Sequence, residues 1–196
     1  ITGKRQTICV IDTGIDYTHP YLGNCTQEEF LSGECEKVPG GYDIRNNNSN
    51  PFDYHGHGTH CAGIIASTHP IYRGVAPDSN IVAVKVFPDD GGSTSFSYVA
   101  EGIQWCINNR DVFNISVISM SLGDNVRRTN YCNSDFLAQY VDLAVSYNMS
   151  VVVATGNEEF TNGITSPACV ESAIRVTATD KSDAFPSFAN RGGNFN

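Results

Sequence analysis

Three polar residues stand where apolar runs end, and each carries a side chain able to do chemistry: Asp12, His57 and Asn157. Asp12 closes the run Thr7-Ile8-Cys9-Val10-Ile11 and precedes Thr13-Gly14. A carboxylate held at a strand end can orient a histidine and stabilise the imidazolium formed in proton transfer. It can equally close an Asx-turn. His57 lies in His55-Gly56-His57-Gly58-Thr59-His60-Cys61-Ala62-Gly63. Its flanking glycines let the backbone approach other groups closely. A helix opening here places the imidazole at the positive end of a helix dipole, which lowers its pKa. Asn157 follows Val153-Ala154-Thr155-Gly156. Its carboxamide can donate to a developing oxyanion, and one such donor is worth about 10²–10³ in turnover. It can also be a turn residue with an unusual backbone angle. His55, His57 and His60 together raise a metal cluster. No downstream His or carboxylate has matching ligand spacing, so no metal is expected there.

Such residues need a scaffold, and the pattern is alternating strand and helix. Apolar runs at 6–11, 81–86, 117–121, 151–154 and 173–177 predict strands, with a short one at 42–44. Helical spacing predicts helices over 58–67, 96–108 and 135–147. The rest of 24–50 is rich in Asn, Gly, Cys and acid and reads as loop. The expected fold is α/β, a mainly parallel sheet in a three-layer α/β/α sandwich covering 1–196 as one partial domain. Right-handed crossovers bring every strand C-terminus to one edge, where ligands of such sheets bind. Asp12, Ser121 and Asn157 fall at that edge.

Composition narrows the classes. Of 196 residues, 40% are hydrophobic, enough for a substantial core, and the low charged fraction of 17% argues against disorder. The formal net charge of −9 argues against a general nucleic-acid binder. No apolar run approaches the roughly 20 residues that span a bilayer. Seven cysteines favour an oxidising compartment, and no CxxC pair exists. Cys25–Cys35 and Cys132–Cys169 are the expected disulfides, while Cys9 and Cys61 read as small buried hydrophobes. Sequons at Asn24, Asn47, Asn114 and Asn148 suit a secreted chain. Both ends are expected to be cut: Ile1 has no initiator Met or signal-peptide pattern, and 192–196 close no element.

Several motifs, in order, resemble those of the subtilisin-like serine peptidases, the subtilases. Val10-Ile11-Asp12-Thr13-Gly14-Ile15-Asp16 is similar to the segment around that family's catalytic aspartate. His57-Gly58-Thr59-His60-Cys61-Ala62-Gly63 resembles the catalytic-histidine motif, with His57 in the catalytic position and Cys61 as in the proteinase K branch. Gly74-Val75-Ala76-Pro77 resembles the turn before the next strand. Ser119-Met120-Ser121-Leu122-Gly123 resembles the substrate-binding strand, and Ala154-Thr155-Gly156-Asn157-Glu158 the oxyanion-hole segment. Ser166-Pro167-Ala168 and Ser187-Phe188-Ala189-Asn190-Arg191-Gly192 match later segments. The resemblance covers essentially the whole chain.

It implies a secreted, monomeric serine endopeptidase acting on polypeptides, with a pro-segment as inhibitor and no required cofactor. Asp12 would hold His57, which takes the proton of a serine nucleophile, and Asn157 would stabilise the oxyanion. An extended peptide would lie between Gly92-Ser93-Thr94 and Ser121-Leu122-Gly123. Phe96, Val99 and Leu122 would line an apolar pocket for the fourth residue before the cut, helix-face packing being the alternative for Phe96 and Val99. Ala154, Thr155 and Gly156 would wall the pocket for the residue just before the cut, which implies broad specificity leaning to large apolar side chains. Structural calcium is common in the family. Here Tyr21 stands where a calcium-binding aspartate would fall and 67–74 is too short for the usual loop, so that site is expected to be lost. Calcium elsewhere, through acids such as Asp89-Asp90, has no oxygen-ligand pattern behind it.

One departure matters most. The family's nucleophile lies in a Gly-Thr-Ser motif, and the only Gly-Thr here is Gly58-Thr59, within the histidine motif. The serine is expected beyond Asn196, leaving these residues roughly the first two-thirds of a larger domain and inactive alone. Ser121 is a poor substitute because it falls on the substrate-binding strand. Two further readings stand beside the endopeptidase: a non-catalytic or truncated subtilase homologue acting as a binding module, and a metal-dependent hydrolase using His55, His57 and His60.

Overall fold

The computed structural model describes residues 2–195 and divides into two units, Ile1–Ser119 and Met120–Asn196. In the first, β1 (Thr7–Asp12) is buried at every position, as a strand covered on both faces must be. α1 (Gln27–Ser32) and β2 (Gly40–Asp43) follow, then α2 (His57–Ala66), β3 (Asn80–Lys85), α3 (Phe96–Asn108), α4 (Arg110–Phe113) and β4 (Ile115–Met120). The strands are parallel in the order β2-β3-β1-β4, and Asp12 pairs in register with Lys85.

Strand alternation builds three layers in this unit. Ile8 and Val10 of β1 and Ile81 and Ala83 of β3 face a core containing Ala62 and Ala66 of α2. The small residues Gly58, Ala62 and Ala66 recur every four positions and form the buried face of α2. On the other face of the sheet, Ile11, Val84 and Val86 meet α3 at Gly102. A Cβ there would sit 3.1 Å from Val84 and Val86, so the helix lies close. In the second unit, α5 (Ala138–Ser146) precedes β5 (Ser150–Ala154), which pairs in parallel with β6 (Ile174–Val176).

Differences from expectation have local causes. α1 falls within a stretch read as loop. Its signal was present: Thr26 and Glu29 form a reciprocal capping box, and Gly33 closes the helix in the left-handed conformation. The one-turn α4 was also missed. α5 begins at Ala138 rather than 135; before it the Asp135 carbonyl accepts from the Ala138 amide at 3.0 Å, closing a turn.

Cys25–Cys35 and Cys132–Cys169 are disulfides as expected. The reading of Cys9 as a buried hydrophobe is corrected: it bonds Cys106, pinning the centre of β1 to α3. The two lie 97 residues apart, and only the α3 crossover brings them together. Cys61 takes part in none of the three disulfides among the described residues.

Candidate active site

The first unit assembles an acid–imidazole pair. Asp12, 1% exposed, ends β1, and His57 opens α2. Asp12 Oδ1 lies 2.7 Å from His57 Nδ1 and also accepts from the Thr13 amide at 2.7 Å. The imidazole is about half exposed, with a side-chain accessibility of 45%, so it has one end fixed in protein and the other open. Gly58 makes this approach geometric: a Cβ there would strike the Gly14 carbonyl oxygen and lie 3.1 Å from Asp12 Cβ. Gly56 caps the helix with φ of 99°, in the left-handed region.

The imidazole pKa is raised, not lowered as the dipole argument predicts. The hydrogen bond to Asp12 is the largest cause; burial works against it, and the charges of Asp12 and Asp53 add to it. A buried carboxylate in direct contact outweighs partial charges on backbone amides.

Asp53 was missed by sequence reasoning and organises the site. It is 6% exposed. Its Oδ1 accepts from the Thr13 hydroxyl at 2.9 Å and the His55 and Gly56 amides at 3.0 and 2.9 Å. Its Oδ2 accepts from the Thr59 amide at 2.9 Å and hydroxyl at 2.6 Å. Burial pushes its pKa up, but these hydrogen bonds, led by the Thr59 hydroxyl, win and hold it below the usual carboxylate value. Thr13 passes the contact on, accepting from the Gly58 amide at 2.8 Å. One carboxylate thus ties the end of β1 to the first turn of α2. An aspartate four residues ahead of a His-Gly-Thr helix start was the signal available. The fully buried Lys85 donates to the Thr13 carbonyl at 2.6 Å and pairs with Asp89 at 3.2 Å, which steadies the same turn.

His55, His57 and His60 do not gather their nitrogens among the described residues; Asp12, His57 and Cys61 are the ligand-type side chains that converge there. The Nδ1 of His57 is taken by Asp12, which is the arrangement of a proton-transfer pair.

Of the expected peptide-binding residues in this unit, Gly92 and Ser93 are exposed and Thr94 is half-buried, in the loop before α3. The Gly92 amide donates to Asp90 Oδ1 at 2.9 Å, and the Thr94 hydroxyl donates to the Val86 carbonyl. Phe96 is half-buried at the start of α3. Val99 is fully buried on α3.

The second unit carries the other expected residues. Ser121, Leu122 and Gly123 follow β4; Ser121 is half-buried, Leu122 buried and Gly123 exposed. A Cβ on Gly123 would sit 2.6 Å from the Thr165 hydroxyl. Ala154 ends β5, Thr155 and Gly156 follow it, and Gly156 has φ of 103°. Asn157 is exposed, and its carboxamide makes no hydrogen bond among the described residues.

The turn presenting Asn157 is held by Asn190, which sequence reasoning noted only as part of a motif. Asn190 is fully buried. Its Oδ1 accepts from the Glu158 and Phe160 amides at 3.0 and 2.9 Å. Its Nδ2 donates to the Thr155 carbonyl at 3.0 Å and to Glu158 Oε2. Its carbonyl accepts from the Thr155 and Thr177 hydroxyls at 3.0 and 2.9 Å. The turn either side of Asn157 is therefore braced, and Asn157 is left to face outward.

The chain is 37% identical to the serine protease AprX of Bacillus subtilis over 98% of its own length and 44% of that protein's. It is 37% identical to subtilisin E of the same organism, over 97% of this chain and 45% of that one. It is 35% identical to thermitase of Thermoactinomyces vulgaris, over 97% and 61%. A cold-adapted subtilisin-like serine proteinase of known structure superposes with a TM-score of 0.77 at 33% identity, over 97% of this chain and 60% of that one. The chain thus spans 44% to 61% of the length of these relatives. The likeness to that structure also establishes the expected subtilisin-like α/β/α fold. With residues 3–196 matching the profile of the Subtilase family, the aspartate–imidazole pair at the end of β1 is found in a chain that belongs to that family.

Proposed function

We propose that the protein is a serine endopeptidase in which Asp12 and His57 are two members of an Asp-His-Ser triad. The observation that carries this is the 2.7 Å contact of buried Asp12 with Nδ1 of a half-exposed His57. With Nδ1 held, Nε2 is the nitrogen left to take a proton. In this reading a serine beyond Asn196 attacks the peptide carbonyl, and its proton passes to His57 Nε2. Asp12 stabilises the imidazolium. Asn157 donates to the tetrahedral oxyanion, and His57 then protonates the leaving amine as the C–N bond breaks. Water repeats the cycle on the acyl-enzyme.

The substrate is a polypeptide bound as an added strand, with 92–94 and 121–123 each a candidate backbone partner for it. Ala154, Thr155 and Gly156 bear no charge, which supports a broad preference leaning to large apolar residues before the cut. The protein acts outside the cell as a monomer, with a pro-segment as its inhibitor; three disulfides support the compartment. No helix among the described residues is long and apolar enough to cross a membrane.

No cofactor enters the mechanism. At the calcium position discussed above, Tyr21 packs edge-on against His69 at 4.3 Å, and its carbonyl accepts from the Thr68 amide at 3.1 Å. The cavity there, about 700 Å³, is lined by His19, Tyr21, His60, Ile64, His69 and Tyr72. Its lining, which also includes Thr59, Ser67 and Arg73, has no carboxylate, and this supports leaving calcium, which takes about 6–8 oxygen ligands, out of the site.

The test is hydrolysis of a peptide panel by the full-length protein. Cleavage after large apolar residues, lost in His57→Ala and blocked by a serine-directed inhibitor, is expected. Strict preference for Arg or Lys would overturn the specificity. Absence of turnover from a folded full-length protein would overturn the enzyme and leave a binding module.

A further inference from the structure

The four sequons are not used by the proposed catalysis, yet the backbone singles out the same residues. Of 18 asparagines, four have a Ser or Thr two residues on: Asn24, Asn47, Asn114 and Asn148. Among the described residues four asparagines have positive φ, at 56°, 52°, 54° and 60°, and they are the same four. Asparagine tolerates the left-handed region, so the turns explain the asparagines. They do not explain the hydroxyls. Only 31 of 196 residues are Ser or Thr, so chance alone puts a hydroxyl at that spacing for fewer than one asparagine in four.

Structural duties separate the four. The Thr26 hydroxyl caps α1, accepting from the Glu29 amide at 3.2 Å, and the Asn114 carboxamide donates to the Arg5 carbonyl at 2.7 Å. Asn47 and Asn148 are different. Both are exposed, as are Ser49 and Ser150, and neither serine hydroxyl makes a hydrogen bond among the described residues. Asn47 uses only its Oδ1, which accepts from the Tyr42 hydroxyl at 2.8 Å, so Nδ2 points away from that contact. The carboxamide of Asn148 bonds nothing among the described residues. Its amide donates to Val145, and Ser150 then starts β5.

We propose that Asn47 and Asn148 are acceptors of N-linked glycans. The donor class is an oligosaccharide joined to a lipid through a pyrophosphate. Nδ2 forms a bond to the anomeric carbon as the carbon–oxygen bond to pyrophosphate breaks. The lipid pyrophosphate leaves with the electron pair, and the amide proton goes to a base of the transferring enzyme. The folded product has room for the sugar at both turns. Asn148 precedes β5 and Asn157 follows it, so five residues of strand, about 17 Å, separate the glycan from the oxyanion donor. The proposal rests on export of the chain and not on its peptidase activity.

The experiment expresses the full-length protein in a eukaryotic secretory host and recovers it from both medium and secretory membranes. Enzymatic removal of N-glycans in ¹⁸O-water should leave labelled aspartate at 47 and at 148. Ser49→Ala and Ser150→Ala keep the asparagine that each turn needs, and each should lose one glycan mass. Absence of label in both fractions overturns the assignment of that site, as does an unchanged glycan mass in the serine variant. Peptidase turnover measured on the same samples reports on the proposed function separately.

Discussion

Asp12 and His57, the two residues proposed as triad members, are held with little freedom. Asp12 is buried, and its Oδ1 is shared between the Thr13 amide and the imidazole. Asp12→Asn preserves the shape but removes the charge and favours the wrong tautomer. On the proposed mechanism this should lower kcat of the full-length protein by about 10⁴, measured on a chromogenic peptide. The pH profile supplies the sign. The folded pKa of His57 is raised, and the base must be neutral, so the acid limb of kcat/KM should lie above the ordinary imidazole value of about 6.5. Asp12→Asn should move it down. Stability responds in the opposite sense. The protonated pair stabilises the fold fully below about pH 6.5, and that contribution is lost as pH rises through the raised folded pKa. Asn190→Leu tests the other braced residue. It leaves the amides of Glu158 and Phe160 without their acceptor, at a cost of about 3 kcal/mol in urea unfolding, and should lower kcat more than KM.

Elements meet at two joints that decide the site. The first is the β1–α2 joint, where Asp53 gathers donors from Thr13, His55, Gly56 and Thr59. Asp53→Ala leaves several of these donors buried and unpaired. It should cost about 3 kcal/mol in chemical denaturation, and His57 should lose its fixed position. Because the Asp53 pKa is lowered on folding, its contribution is present above about pH 3.9. It is lost as pH falls through the lowered folded value. The second joint is the Cys9–Cys106 bond between β1 and α3. Replacing both cysteines by alanine frees a loop of 97 residues in the unfolded chain and should cost about 2–4 kcal/mol, read as a lower Tm.

At the scale of the whole molecule, the chain covers nearly all of its own length against its relatives but only part of theirs. The resemblance puts Asp, His and the oxyanion Asn within it and the nucleophile outside it. The 196 residues alone should therefore show no casein hydrolysis above background, whereas the full-length protein should show turnover. Hydrolysis by the 196-residue chain that a serine-directed inhibitor abolishes would place the nucleophile within it.

The sequence by itself determined the alternating strands and helices and the positions of Asp12, His57 and Asn157 at strand ends or helix starts. Those features are local: apolar runs and turn residues report them directly, whereas Cys25–Cys35 and Cys132–Cys169 were candidate pairs that the fold settled. Only the tertiary structure decided the rest. Asp53 and Asn190 look like ordinary turn residues until the segments they bind are brought around them, since their donors are spread over neighbouring turns and strands. Cys9 reads as a hydrophobe because its partner is 97 residues away on a helix that crosses the sheet. The His57 pKa was misjudged from the helix dipole alone. Its value is governed by a carboxylate 45 residues earlier, and contact at 2.7 Å outweighs the partial charge of a helix terminus.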